Sequence, residues 1–314
     1  MVLRLYGDAD GVQAVGEAPF VPYYHDDPTS TLRWFSEHEL FDFRQSVPSD
    51  APRLVQLALE LVKGDWLGKK KGATLGEVLG GGPPFSGNSI LGCRSFSIPQ
   101  DMKRFSDLVR RTAEQFKVLK LKLGSGDPAW DQQIVEVARL SAPGAVMFAD
   151  VNGGWSVEQS IEMIPRLERC NLAFIEQPIH HQTGVAGWRK LREKLGTSGT
   201  KLVADESAQT LEDLDSLRGL ADGVNVKMLK CGGWSKAAEM MRKAKCEGFF
   251  VMLGCMIESS IGVTAAAHLA PLADWIDLDG NLYLANDDYS GLKFGTAGEL
   301  IMPNLPGIGV LRRF

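Results

Sequence analysis

The sequence predicts a (β/α)7β TIM-like barrel carrying a small α+β capping domain, and three observations predict it. From residue 91 onward, short apolar runs alternate with helical stretches, the signature of parallel βαβ units. Eight such runs fall within about 200 residues, which fits a closed barrel better than a doubly wound sheet. Nearly every run carries charge near its C-terminal end, the end at which barrel active sites are built.

The elements follow in order. VLRLYGDADGVQAVGEA reads as two strands around a D-G turn, a hairpin signal. Aromatic and proline-rich turns come next, around Tyr23 to Pro28. PRLVQLALELVKG has helical apolar spacing and is expected to end at Gly64. Lys69 to Lys71 read as a solvated loop, and KKKGATLGEVLGGGPP closes the segment with breakers. Residues 1–90 are therefore expected to form the cap. The barrel strands are CRSFSI, VLKLKLG, AVMFADVN, AFIEQPI, KLVADES, GVNVKM, FFVMLGCM and WIDLDG; DQQIVEVARLS and SVEQSIEMIPRLERC are the clearest helices between them. The last strand runs into YLANDDYSG, so the final barrel helix is expected to be missing. The barrel is assigned to 91–291, and the turn-rich tail 292–314 is expected to pack with the cap.

Composition narrows the function. The net charge is −5, which gives no electrostatic footprint for nucleic acid. The five histidines form no H-E-x-x-H pair, and the five cysteines form no C-x-x-C and are odd in number. Both facts argue against zinc and disulfide frameworks and for a reducing, cytoplasmic setting. No apolar run reaches the ~20 residues that span a bilayer, and the N-terminus lacks a signal-peptide layout. A cytoplasmic enzyme or binding protein of small molecules remains, with no nucleic-acid or membrane partner. Any catalytic metal in it must be held mostly by oxygen.

Strands of a parallel barrel are buried and should read as apolar. Here Lys120 and Lys122, Asp150, Glu176, Asp205, Lys227, and Asp277 with Asp279 sit at or near successive strand ends. Buried charges are costly unless paired or bound to metal. Lys122, Asp150, Glu176, Asp205 and Lys227 follow one another at intervals of 28, 26, 29 and 22 residues. Each interval is one βα unit, so the groups converge on one mouth. Asp150, Glu176 and Asp205 offer hard oxygen ligands suited to Mg²⁺. Lys122 and Lys227 come from the second and sixth strands and face each other across the ring. Lys120 shares a face with Lys122, and a neighbouring cation together with Mg²⁺ lowers an ammonium pKa. Two lysines about a metal fit removal and return of a proton next to a carboxylate, through an enediolate, with epimerisation as the outcome.

This constellation resembles the enolase superfamily, whose use of a Lys or His base with Mg²⁺ on an ene-diolate is itself a standard example of the device. K-L-K at 120–122, D-V-N at 150–152, E-Q-P at 176–178, D-E-S at 205–207 and N-V-K-M-L-K-C-G-G at 225–233 are similar to the muconate-lactonising subgroup. Within it, D-L-D at 277–279 resembles the D-x-D with which dipeptide epimerases of the L-Ala-D/L-Glu type bind the substrate's α-ammonium. The resemblance implies Lys122 and Lys227 as acid/bases, Asp150, Glu176 and Asp205 as Mg²⁺ ligands, and Ser95, Lys120, Cys255, Ile257, Asp277 and Asp279 around a dipeptide. G-C-M-I-E at 254–258 carries Cys255 where the family has Ser, and Ser95 stands where it usually has Thr. Judged against the usual cap, the first cap strand and its mobile loop are absent, so the cap is expected to be truncated at its N-terminus. Many relatives form symmetric oligomers, which leaves a homo-oligomer open.

Two other readings compete. An o-succinylbenzoate synthase or muconate cycloisomerase would share the lysines and carboxylates but has no ammonium for Asp277 and Asp279 to bind. A truncated barrel without turnover rests only on the short cap. G-S-G-D-P-A at 124–129 is a dinucleotide-site decoy, because the preceding strand holds two lysines. His268 reads as a satisfied helix histidine, His180 and His181 as surface loop, and Trp155, Trp188 and Trp234 as packing residues.

Overall fold

The computed structural model describes residues 1–21, 27–38, 42–80, 90–197 and 199–313. The chain opens on an antiparallel hairpin, β1 (Val2–Ala9) and β2 (Val12–Pro19), turned by Asp10 and Gly11. Both turn residues have positive φ, 54° and 73°, as a two-residue turn matched to strand twist requires. The expected turns around Tyr23 lie partly outside the described residues. At their far end a helix forms instead, α1 (Pro28–Glu37). Asp27 caps it by accepting from the amides of Thr29 and Ser30, and Pro28 supplies a preset first-turn φ.

The next helix, α2 (Arg53–Lys71), lies across the hairpin and does not stop at Gly64. Gly64 is buried mid-helix, where an added Cβ would sit 2.4 Å from Leu75 Cδ1, so its glycine serves a close approach. The helix ends at Gly72, which takes the left-handed conformation at φ 67°. Lys69 to Lys71 are thus the last helical turn and not a loop. Cations are favoured there by the helix dipole, Lys69 pairs with Asp65 at 2.7 Å, and Lys70 pairs with Asp10 at 2.6 Å. A short helix α3 (Leu75–Val78) follows behind a Thr74–Glu77 capping box. The glycine and proline breakers from residue 81 lie outside the described residues.

Eight parallel strands then form one sheet in strict chain order: β3 (Cys93–Phe96), β4 (Val118–Lys122), β5 (Val146–Asp150), β6 (Phe174–Glu176), β7 (Lys201–Ala204), β8 (Gly223–Val226), β9 (Phe250–Gly254) and β10 (Trp275–Asp277). A bridge between Gly92 and Ile276 joins the last strand to the first, which closes the ring. Helices α4 (Met102–Gln115), α5 (Pro128–Ser141), α6 (Val157–Leu167), α7 (Gly184–Leu195), α8 (Leu211–Leu217), α9 (Met228–Cys231), α10 (Trp234–Cys246) and α11 (Ser260–Ala267) fill the connections. Among the described residues a 3-10 turn, Gly280–Tyr283, and no α-helix follows β10, as the sequence predicts. The tail bonds back to both halves. Ile308 N donates to Asp65 Oδ1 at 2.8 Å, Leu75 N donates to Gly307 O at 2.7 Å, and Leu91 bridges Glu299.

The decoys resolve structurally. The amides of Gly124 and Ser125 both donate to Asp131 at 3.1 Å, and Trp155 Nε1 reaches the same buried carboxylate at 2.7 Å. The chain's own anion therefore occupies the donors a phosphate would need. His268 is buried on Ile308 O, His180 and His181 are exposed in the loop after β6, and the three tryptophans are buried.

Candidate active site

The mouth of the barrel holds a cavity of about 480 Å³ lined by Ser95, Lys120, Lys122, Lys227, Cys255, Ile257, Asp277 and Asp279. Met1 and Phe20 of the cap, Asn152 and Tyr283 also line it. Beneath it lie Asp150, Glu176 and Asp205, all fully buried, whose ligand oxygens fall within 4.8 Å of one another. The sequence-predicted residues are thus gathered from all eight strands, or the turns that directly follow them, onto one site.

The triad is held by ammonium groups. Lys120 Nζ stands 2.9 Å from Asp150 Oδ2, 2.8 Å from Glu176 Oε2 and 2.7 Å from Asp277 Oδ2. Lys227 Nζ is 2.6 Å from Asp205 Oδ2, and fully buried Lys230 donates to Asp205 Oδ1, Asp205 O and Asn225 O, each at 2.6 Å. Burial opposes ionisation of Asp150 and Asp205. The charges of Lys120 and Lys122, and of Lys227 and Lys230, outweigh it and hold both carboxyls well below the usual range. Glu176 goes the other way: burial, then the Asp150 charge, push it up to about 8. Its Oε2 is buried and, although close to Lys120, makes no well-directed hydrogen bond. Three buried carboxylates crowded together, one with an oxygen that makes no hydrogen bond, and with no His or Cys among the described residues in the cluster, fit a hard divalent cation.

Lys122 and Lys227 rise from positions four strands apart in a ring of eight, and so stand on opposite sides of the cavity. Lys122 Nζ donates to Asp150 Oδ2 and Asn152 Oδ1, both at 2.7 Å. Lys120 does more than sit beside it as a second cation: buried among three carboxylates, it is held firmly charged, their attraction overcoming the cost of burial.

Asp277 and Asp279 meet on Ser95, whose Oγ lies 3.3 and 3.2 Å from one oxygen of each. Asp279 is past the end of β10, at the start of the 3-10 turn, so a turn and not strand pairing brings the two carboxylates together. Asp279 also accepts from Ser95 N at 2.7 Å, Arg94 Nη1 at 3.1 Å and Tyr283 OH at 3.2 Å. The Arg94 guanidinium lies 4.3 Å above the Tyr283 ring. Cys255 is half-buried at the cavity wall, and burial followed by the Asp277 charge drives its thiol far above the usual range, which disfavours the reactive thiolate. Ile257 is 65% exposed and presents an apolar face to whatever enters.

Several structuring residues lay inside the motifs without an assigned role. Asn225 Nδ2 donates to Glu176 Oε1 at 2.5 Å. Gln177, at φ 39°, receives the amides of Asp205 and Ser207 on its side-chain oxygen at 2.9 and 3.1 Å and so locks β6 to β7. Asn225, Lys230 and Gln177 each fall in a quoted motif, which was the available signal; Arg94 and Tyr283 had none.

A closed barrel with carboxylates and lysines converging on its C-terminal mouth defines an acid–base enzyme of the barrel class. The chain belongs to the enolase superfamily: residues 104–311 match the enolase C-terminal domain-like family. It is 34% identical over 316 residues to an L-Ala-D/L-amino acid epimerase of Pedosphaera parvula, covering 93% of this chain and 87% of the relative. An L-Ala-D/L-Glu epimerase of Bacteroides thetaiotaomicron is 31% identical, covering 96% of this chain and 79% of that one. The fold is that of the substrate-liganded L-Ala-D/L-Glu epimerase from Bacillus subtilis (TM-score 0.84, 24% identity, 99% of this chain, 91% of that chain). It is equally that of the dipeptide epimerase from Cytophaga hutchinsonii complexed with Mg and D-Ala-L-Val (TM-score 0.85, 23% identity, 99% of this chain, 88% of that chain).

Proposed function

We propose that this chain is a Mg²⁺-dependent dipeptide epimerase. The observation that carries the reading is the placing of two anionic stations about one cavity. Asp277 and Asp279 on Ser95 make a seat for an ammonium, and the Asp150–Glu176–Asp205 triad makes a seat for a cation that binds a carboxylate. A dipeptide offers an ammonium at one end and a carboxylate at the other. Lys122 and Lys227 then flank the carbon next to that carboxylate.

Asp150, Glu176 and Asp205 would hold the Mg²⁺. When bound, it supplies positive charge to anchor the substrate carboxylate and to offset the negative charge that develops there. One lysine, neutral at the time, takes the α-proton and leaves an enediolate. The other, as an ammonium, returns a proton to the opposite face, so the configuration inverts and the two lysines exchange protonation states. Lys120 stays charged and steadies the developing anion. Relatives named L-Ala-D/L-Glu epimerase and hydrophobic dipeptide epimerase support this reading. A cycloisomerase or succinylbenzoate synthase substrate offers no ammonium for Asp277 and Asp279 to bind.

Incubation with Mg²⁺ and an L,L-dipeptide library in D₂O tests the proposal by mass gain and by appearance of the epimer. Lys122→Ala and Lys227→Ala should each lower epimerisation by at least about 10²-fold, the low end of general acid–base contributions. Epimerisation that survives both changes would sink the two-lysine mechanism. Inertness toward every dipeptide, with turnover of a succinylbenzoate precursor, would replace the reading by the second one.

A further inference from the structure

We propose that Asn152 is the positioning residue of Lys122, and that it governs proton transfer on one face of the substrate only; the inference rests on the epimerase reading. Asn152 lies just past β5 at φ 48°, a left-handed conformation that asparagine tolerates better than most residues. That backbone geometry lets it serve three partners. Its amide N–H donates to Asp150 Oδ1 at 2.9 Å, its side-chain Oδ1 accepts from Lys122 Nζ at 2.7 Å, and its Nδ2 donates to Glu206 Oε1 at 3.2 Å. The last two contacts fix the orientation of the amide. A flipped amide would turn its own N–H groups toward an ammonium and its oxygen toward a carboxyl oxygen.

The two lysines are pinned differently. The Lys227 side chain is 7% exposed and packed at the base of the cavity against Asp205. The Lys122 side chain is 33% exposed, with four rotatable bonds and two oxygen partners. One partner, Asp150, belongs to the carboxylate triad and would be shared with a bound cation. The other is the Asn152 amide oxygen, which directs the nitrogen without adding charge. Loss of that oxygen should loosen Lys122 and leave Lys227 in place. The consequence is an asymmetry that general loosening of the site cannot produce.

The variants are Asn152→Gly, which keeps a residue comfortable at this φ, and Asn152→Asp, which keeps both the left-handed tolerance and an acceptor oxygen. Each epimer of an accepted dipeptide is incubated separately with enzyme and Mg²⁺ in D₂O, and initial α-proton exchange is followed by mass. Mg²⁺ affinity is measured by calorimetry. Asn152→Gly should slow exchange by about 10²-fold, the cost of a displacement near 1 Å, for the same epimer that Lys122→Ala cannot exchange. Exchange of the other epimer, KM and Mg²⁺ affinity should change little. Asn152→Asp should recover part of the lost exchange. Equal loss for both epimers, a raised KM at unchanged kcat, or a parallel fall in Mg²⁺ affinity would overturn the assignment. They would mean a structural role, a direct substrate contact, or action through Asp150. Wild-type enzyme that exchanges neither epimer of any dipeptide would instead remove the epimerase reading, a pattern distinct from all three.

Discussion

The inward face of the barrel has two levels separated by two residues on the same strands, and they are built on opposite principles. The lower level is Cys93, Val118, Phe148, Phe174, Val203 and Met252, every one buried and apolar. The upper level is Ser95, Lys120, Asp150, Glu176 and, just past β7, Asp205. A strand repeats its face every second residue, so Phe148 leads to Asp150 and Phe174 to Glu176. Below, Phe148 stacks on Phe174 with ring centroids 4.4 Å apart, and Trp275 meets Phe174 edge-on at 5.0 Å. Above, ammonium and carboxylate groups with hardly any exposure are packed at 2.6–2.9 Å. Lys120 joins the levels, its Nζ lying 5.8 Å from the Phe148 ring centroid. The floor gains stability from apolar burial and aromatic packing. The mouth gives some of it up to hold charges where a ligand will need them.

The sharpest way to break this division is Asp205→Asn. It removes a cation ligand and leaves the Lys227 and Lys230 ammoniums short of their carboxylate. Removing one partner of a buried ion pair typically costs 3–5 kcal/mol, and Mg²⁺ binding should disappear with it. Thermal melts and calorimetric Mg²⁺ titration measure the two losses. A variant as stable as the parent would mean the mouth is already wet enough to screen its charges.

Phe174→Ala probes the floor. It empties the centre of the aromatic cluster and should cost about 3–5 kcal/mol, visible as a lower denaturation midpoint. Mg²⁺ affinity of the folded fraction should change far less than in Asp205→Asn. If both fall together, the two levels are a single cooperative unit.

Much of this was readable from the sequence, for reasons the two levels make plain. A charged residue at the end of an apolar run is conspicuous, so Asp150, Glu176, Asp205 and the lysines announced themselves, and their spacing gave the ring. Asp279 was readable as a partner of Asp277, but its place in a turn was not, because alternation in sequence does not say where pairing stops. Gly64 misled because a glycine that ends a helix and one that lets Leu75 approach look alike until the neighbour is in view. Arg94 and Tyr283 were silent, since their roles exist only across a separation of 189 residues closed by the ring.

The smallest expected effect concerns Glu258, a mouth residue that no cation among the described residues pairs with directly. Burial pushes its carboxyl up to about 7, the backbone amide of Met256 opposing at 2.9 Å; Glu17 in the cap pushes the same way as burial, and Lys227 pulls back. A carboxyl whose folded pKa is raised favours the folded state when protonated. Its contribution is therefore complete below the unfolded value of 4.5 and is lost as pH rises through about 7. The shift amounts to about 3 kcal/mol at 1.36 kcal/mol per pKa unit. Glu258→Gln keeps the oxygen that accepts from Met256 and cannot ionise. The stability difference between variant and parent, from denaturant midpoints, should therefore be small near pH 4.5 and grow in the variant's favour toward pH 7.5. A difference that stays flat across this window would mean that Glu258 is already ionised in the folded chain, with Lys227 balancing it as well as Asp205; the mouth would then hold one more buried charge in spite of the repulsion from Glu17.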